Sequence, residues 1–301
     1  MIEGAAPRGI EFVAATAPGP PTSQLRLVWR SFIRNRLAVC GAIVVLLLYV
    51  LAAFAPAIAP QDYRAFNPGQ PLRPPSAQHW FGTDRQTRDV FSRVLVGSQV
   101  SLSVGLVSVV LITVIGVSLG AVAGAAGGRV DDLIMRLTDI VLSIPQLFLL
   151  IAAAALFTPS LTTTMLVIGL TSWMSTARLV RGEFLRTKSL DYVQAARALG
   201  ASRTRIVLRH LLPNALAVII VQATLWLSFA VLLESSLSFL GLGAQPPTPA
   251  WGSMLSDGRV DMQRAWWQTV FPGSAIFITV LAFNLVGDGL RDALDPRMRR
   301  R

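Results

Sequence analysis

The chain has one cysteine, two histidines and one lysine among its 301 residues, and only 14% of it is charged. Each scarcity excludes something. The lone Cys40, inside an apolar run, rules out an intrachain disulfide and a cysteine-based zinc site. His79 and His210 fall in loops that a membrane-spanning arrangement puts on opposite sides, so no triad or metal site assembles around them. The lone Lys188 lies in "GEFLRTKS", which nearly spells the phosphate loop G-x-x-x-x-G-K-[ST], but Thr187 stands where the second glycine must let backbone amides wrap phosphate. This chain therefore binds no ATP in that manner, and no other cofactor is expected on it.

What is abundant is apolar: 53% of residues are hydrophobic and the mean hydropathy is +0.56, whereas soluble domains carry roughly 25% charge. This composition is that of a membrane protein. A net charge of +11 could suggest nucleic acid, but the arginines lie in gaps between apolar runs and not on a soluble face with stacking aromatics. No nucleic-acid partner is expected. Apolar runs long enough to span predict six transmembrane helices near 38–58, 101–126, 140–157, 161–179, 215–233 and 268–286. Residues 1–22, rich in Ala, Pro and Gly, predict a disordered tail. Most of the 27 Lys+Arg fall inside if both termini are cytoplasmic, which is the orientation expected.

The predicted spans hold few ionisable groups, as a gradient-coupled transporter would not. Glu234 alone is embedded, close to the outer surface. Gly116, Gly120 and Gly124 form a GxxxGxxxG stripe suited to close helix packing. Gln146, Ser175, Gln222, Ser228 and Asn284 are either pathway-lining or interhelical hydrogen-bonding residues. After a helix start at Thr83 and Asp84, Val90, Phe91, Val94 and Leu95 oppose Arg88 and Arg93, predicting a segment along the outer interface. The Pro246–Pro249 stretch reads as stiff and extended, with Trp251 at headgroup level or against a binding partner.

The stretch "LDYVQAARALGASRTRIVLRHLLPNALAVII" interrupts this greasy pattern. Asp191 is the expected N-cap of a short helix, with Gln194 completing a capping box and Gly200 ending it in a left-handed turn. Tyr192, Ala195, Ala196 and Leu199 share one face of it. A second helix starts after Ser202 and runs past His210 to Pro213. By physics alone, a basic hairpin on lipid headgroups remains an alternative.

"YVQAARALGASRTRIVLRHLLPN" resembles the EAA loop of bacterial ABC-importer permeases, with Gln194-Ala195-Ala196, Gly200, His210 and Leu212-Pro213 at its motif positions. "FGTDRQTRDVFSRVLVGSQVSL", "FLGLGAQPPTPAWGSMLSDGR" and "GDGLRDALDPRMRRR" resemble further segments of the peptide/nickel branch of that family, C-type subunit. Two departures stand out: Gln194 replaces the usual Glu, and Thr87 the glycine of GTDxxGRD. The resemblance implies an all-α polytopic type I importer permease with a cytoplasmic coupling helix, divided into residues 1–22, 23–97, 98–288 and 289–301, the third being the transmembrane core and the last a basic tail. It implies non-catalytic work in a bacterial cell membrane: half of a pathway for peptides or related small cargo. The implied partners are a B-type permease forming a heterodimer, one or two cytoplasmic ATPases that use ATP and Mg, an extracytoplasmic binding protein and membrane lipid. Tyr192, Gln194, Ala195, Ala196, Leu199, Gly200, His210 and Pro213 would couple to the ATPases, and Glu234, Pro246, Pro247 and Trp251 would serve the outer loop or gate.

Overall fold

A computed structural model describes residues 24–66 and 71–294. The expected tail over 1–22 and most of the one over 289–301 lie outside the described residues. Among those described, everything is helix or connection, apart from one isolated bridge between Thr83 and Asp89. Helix α1 (Gln24–Arg34) meets α2 (Arg36–Ala53) at Asn35, whose side chain caps α2 by accepting from the Ala38 N–H at 3.2 Å. One turn, α3 (Ala55–Ile58), follows. Next come α4 (Val90–Ala126), α5 (Gly128–Leu142), α6 (Gln146–Ala155), α7 (Leu161–Thr171) and α8 (Met174–Lys188). After them stand α9 (Asp191–Ala198), α10 (Arg203–Ile206), α11 (Leu212–Phe239), α12 (Trp251–Gly258) and α13 (Trp267–Leu294).

Four stretches among the described residues are long and apolar enough to cross a membrane: α2, α4, the continuous 203–239 helix and α13. The expectation of six unbroken spans is corrected at the third and fourth. The run over 140–157 breaks ahead of Pro145, because the residue before a proline is driven out of the helical region. Its two halves, α5 and α6, meet at 87° and make a fifth span if taken together. The run over 161–179 parts at Ser172 and Trp173 into α7 and α8. There the Ser172 hydroxyl accepts from the Gln146 amide at 2.9 Å, a polar alternative to the helical ladder.

Helix α4 is the spine of the bundle. Its glycine stripe takes α8: a Cβ at Gly116 would lie 2.6 Å from Thr176 Cβ, and one at Gly124 2.6 Å from Phe184 Cβ. Lys188, at the end of α8, donates to the Ala125 carbonyl at 3.1 Å and so caps the C-terminus of α4. At the other end of α4, α12 and α13 close the bundle, and Trp251 packs with Leu102, Val231 and Phe283.

Three expectations at that end are corrected. The helix begins at the Asp89 N-cap, whose carboxylate accepts from the Ser92 N–H at 2.8 Å, and not at Thr83 or Asp84. Arg88 and Arg93 are buried instead of facing water, because Asp84 holds Arg88 Nε at 2.7 Å and lies 3.7 Å from Arg93 Nε. Trp251 is 1% exposed, so it sits neither at headgroup level nor on a docking surface; its Nε1 donates to the Val94 carbonyl at 3.0 Å.

Candidate functional site

The segment 188–214 is built as a short helix held away from the bundle on two stems. Leu190, not Asp191, is the N-cap of α9 and makes no side-chain cap; Asp191 lies inside the first turn, where its charge favours the helix dipole. Gln194 makes no capping box either, since its Nε2 donates to the Lys188 carbonyl at 2.9 Å. The C-terminus follows the expectation. Gly200 has φ +83°, its N–H donates to the Arg197 carbonyl and the Ala201 N–H to the Ala196 carbonyl, both at 3.0 Å, which is a Schellman turn.

One residue of α9 faces inward. Val193 is 1% exposed and packs with Phe184 of α8, Ile206 of α10 and Leu211, Ala215 and Ile219 of the following helix. The opposite face is bare: Tyr192 is 46% exposed and Leu199 89%, with Gln194 and Ala195 exposed and Ala196 half-buried between them. An apolar knob of this kind, carried on a rigid turn, suits a groove in a partner.

The return stem has an unusual pitch. Ser202 caps α10 by accepting from the Arg205 N–H at 3.3 Å, as expected, and residues 207–211 then form a π-helical turn before α11. Pro213 explains the widening: it supplies no N–H to the carbonyl four residues back and its ring crowds that carbonyl, so the ladder slips by one and Leu212 bonds to Val207. His210 lies on this turn, its ring 6.0 Å from that of Tyr192 at a steep angle. Asn214 Nδ2 donates to the Tyr192 hydroxyl at 3.1 Å and also to the His210 carbonyl. Tyr192, His210 and Asn214 thus meet at the junction of the two stems, beside Pro213 in the chain, whereas Ala195 and Leu199 stand exposed. Sequence reasoning missed Lys188, Val193 and Asn214; the singular lysine was the one available signal.

The outer residues are dispersed by comparison. Glu234 is fully buried where α4 and α11 cross, accepting from the Ser238 hydroxyl at 2.6 Å. Pro246 and Pro247 are exposed in the loop that precedes α12, and the stretch expected to be extended instead makes a tight turn in which the Thr248 N–H donates to the Gln245 carbonyl at 3.1 Å. Arg85 grips Asp261 through Nε and Nη2 at 2.9 and 2.8 Å, and these hydrogen bonds hold the Asp261 carboxyl below the usual carboxylate range. Of the proposed pathway residues, Gln146, Ser175 and Gln222 line one cavity. Ser228 and Asn284 instead meet each other at 3.3 Å, an interhelical hydrogen bond.

Residues 116–300 match the family model described as binding-protein-dependent transport system inner membrane component. Residues 23–75 match the N-terminal TM domain of oligopeptide transport permease C. A probable D,D-dipeptide transport system permease protein of Escherichia coli (strain K12) is 46% identical, over 90% of this chain and 91% of that one. The dipeptide transport system permease protein of Bacillus subtilis (strain 168) is 42% identical, over 93% and 88%. A glutathione transport system permease protein of Escherichia coli O6:K15:H31 is 46% identical, over 90% of each. Among solved structures, the inward-facing MetNI methionine ABC transporter shares the fold with a TM-score of 0.58 at 20% identity, covering 67% of this chain and 96% of that one.

Proposed function

The chain belongs to the binding-protein-dependent transport system inner membrane component family, and from that premise we propose that residues 191–213 are where its ATPases grip it. It is a non-catalytic, multi-pass permease subunit of an ABC importer. Importers of this family work with a partner permease, an ATPase and a substrate-binding protein. The finer assignment is ours: a heterodimer with a B-type permease, one or two cytoplasmic ATPases consuming ATP and Mg, and both termini cytoplasmic in a bacterial cell membrane. The cargo is a peptide or a related small substrate, in keeping with the dipeptide and glutathione permeases that the chain resembles. Residues 98–288 form the transmembrane core, and the exposed Pro246 and Pro247 are offered to the binding protein while Glu234 and Trp251 brace the loop from beneath.

One observation carries the coupling role: α9 buries only Val193 and leaves Ala195 and the following Leu199 bare on a helix fixed at both ends. Such a helix moves as a rigid element, and both stems lead into the bundle. The test is Ala195→Glu, which puts a charge on the bare face where an unpaired buried charge costs several kcal/mol. We expect normal membrane levels and normal pairing with the partner permease, with ATPase subunits lost on purification and uptake abolished. Retention of both at wild-type levels would make α9 a lipid-surface hairpin.

A further inference from the structure

The two interruptions in the expected spans lie side by side. Gln146, the first residue of α6, donates to Ser172 at the gap between α7 and α8, so each break is stitched to the other. Beside them, against the midpoint of the continuous 203–239 helix, is a cavity of about 320 Å³. Its wall includes Gln146, Ser172 and Ser175 at the breaks and Gln222, Trp226 and Phe229 on α11. Lipid cannot satisfy the backbone groups that a broken helix frees, so breaks persist where protein or a polar cavity borders them. Transport sites are built at such breaks in many carriers.

The chemistry of the wall is specific. None of the described residues lining the cavity is charged, while amides and hydroxyls are set among apolar and aromatic side chains. Two of its residues carry buried hydrogen-bonding atoms with no partner among the described residues, Ser175 Oγ and Trp226 Nε1. We propose that this cavity is a substrate contact inside the pathway that recognises an uncharged amide unit, a peptide bond with its side chain, and not the charged ends of the cargo. A peptide group brings one acceptor and one donor, the complement of a hydroxyl, an indole N–H and carboxamides. Trp226 and Phe229 receive the side chain. A fixed ion at this depth would hold a peptide terminus too firmly, and a conducting site must also let go.

Both walls lead to α9. Ser175 is in the first turn of α8, whose far end carries Lys188 and then α9; Gln222 and Trp226 follow the π turn that Asn214 ties to Tyr192. A displacement of α9 therefore moves the two sides of the cavity together.

The inference rests on the permease-for-peptides reading, and the experiment separates the two. In a Cys40→Ser background, Gln222→Cys is labelled with N-ethylmaleimide in the assembled complex in lipid nanodiscs, with and without trialanine or N-acetyl-trialanine amide, which has the same peptide bonds and no charge. Both peptides should slow labelling severalfold. Protection by trialanine alone would mean that charged ends are recognised and would overturn the proposal, as would no protection by either. A cysteine that reacts in detergent yet never in lipid, whatever the peptide, would assign the cavity to lipid. Trp226→Phe keeps the ring and removes only the N–H; transport turnover should fall severalfold with KM unchanged, and wild-type turnover would count against the site. Failure of the broader reading looks different: the unmutated complex would carry no ATPase and import no peptide.

Discussion

Thr87 sits at φ +62°, in the left-handed region, at the position where the resembling GTDxxGRD segment has glycine. A β-branched side chain is badly suited to that conformation, and the turn around it is fixed by Asp84, which accepts from the Gln86 and Arg88 N–H groups at 2.8 and 2.9 Å. Thr87→Gly should therefore raise stability, by on the order of 1 kcal/mol, against the usual cost of glycine. The check is the melting temperature of the purified complex; a fall would mean that the Thr87 side chain repays its strain. Trp251 makes the opposite case. At 1% exposure, with its indole bonded to Val94, its loss leaves a large void, so Trp251→Ala should cost about 3–5 kcal/mol. Membrane levels should drop, and a stable variant defective only in substrate delivery would contradict this placement.

Among the elements, the α4–α8 pair is the most demanding. A Cβ at Gly120 would collide with the Ala177 carbonyl and lie 2.9 Å from Val180 Cβ, and neither neighbour can swing aside as a flexible side chain would. Gly120→Val should cost at least the 1–3 kcal/mol of ordinary overpacking, read as lower thermal stability and a poorer yield of assembled complex. Wild-type yield and melting would mean that α8 can slide on α4. That stripe was legible in the sequence because three-residue gaps between glycines have one physical use in apolar helices. The elbow at Gly200 was legible for a similar reason, since a short amphipathic run ending in glycine points to a left-handed cap. The breaks at Pro145 and Ser172 were not, because a count of apolar residues is blind to where the helical ladder fails. Nor was the true N-cap of α9, since whether Asp191 or Leu190 stands at the boundary depends on how the chain leaves α8. Arg88 and Arg93 were misplaced because amphipathic spacing does not reveal the Asp84 carboxylate that folds in beside them.

At the scale of the whole molecule, α4 sets the long axis and places the two functional ends apart. Lys188 and α9 lie at its C-terminal end; Trp251 and the Pro246–Pro247 loop lie at its N-terminal end. The basic residues divide along the same axis. Arg178, Arg181, Arg186, Lys188, Arg197, Arg203, Arg205 and Arg209 occupy α8 and the hairpin beyond it, and Arg26, Arg30, Arg34 and Arg36 lead into α2. The other end holds seven of the 27 Lys+Arg, Arg64, Arg73, Arg85, Arg88 and Arg93 before α4 or in its first turn and Arg259 and Arg264 before α13. Arginines near span ends resist translocation, so the α9 end should face the cytoplasm. A reporter active only in the cytoplasm should therefore work when inserted beside Ser202 or fused after Arg301, and fail when inserted beside Pro247. Because α11 runs unbroken from the hairpin toward that loop, Ser202 and Pro247 cannot share a side while 203–239 crosses the bilayer. Activity at both would show that this helix does not cross, and the coupling geometry proposed for α9 would go with it.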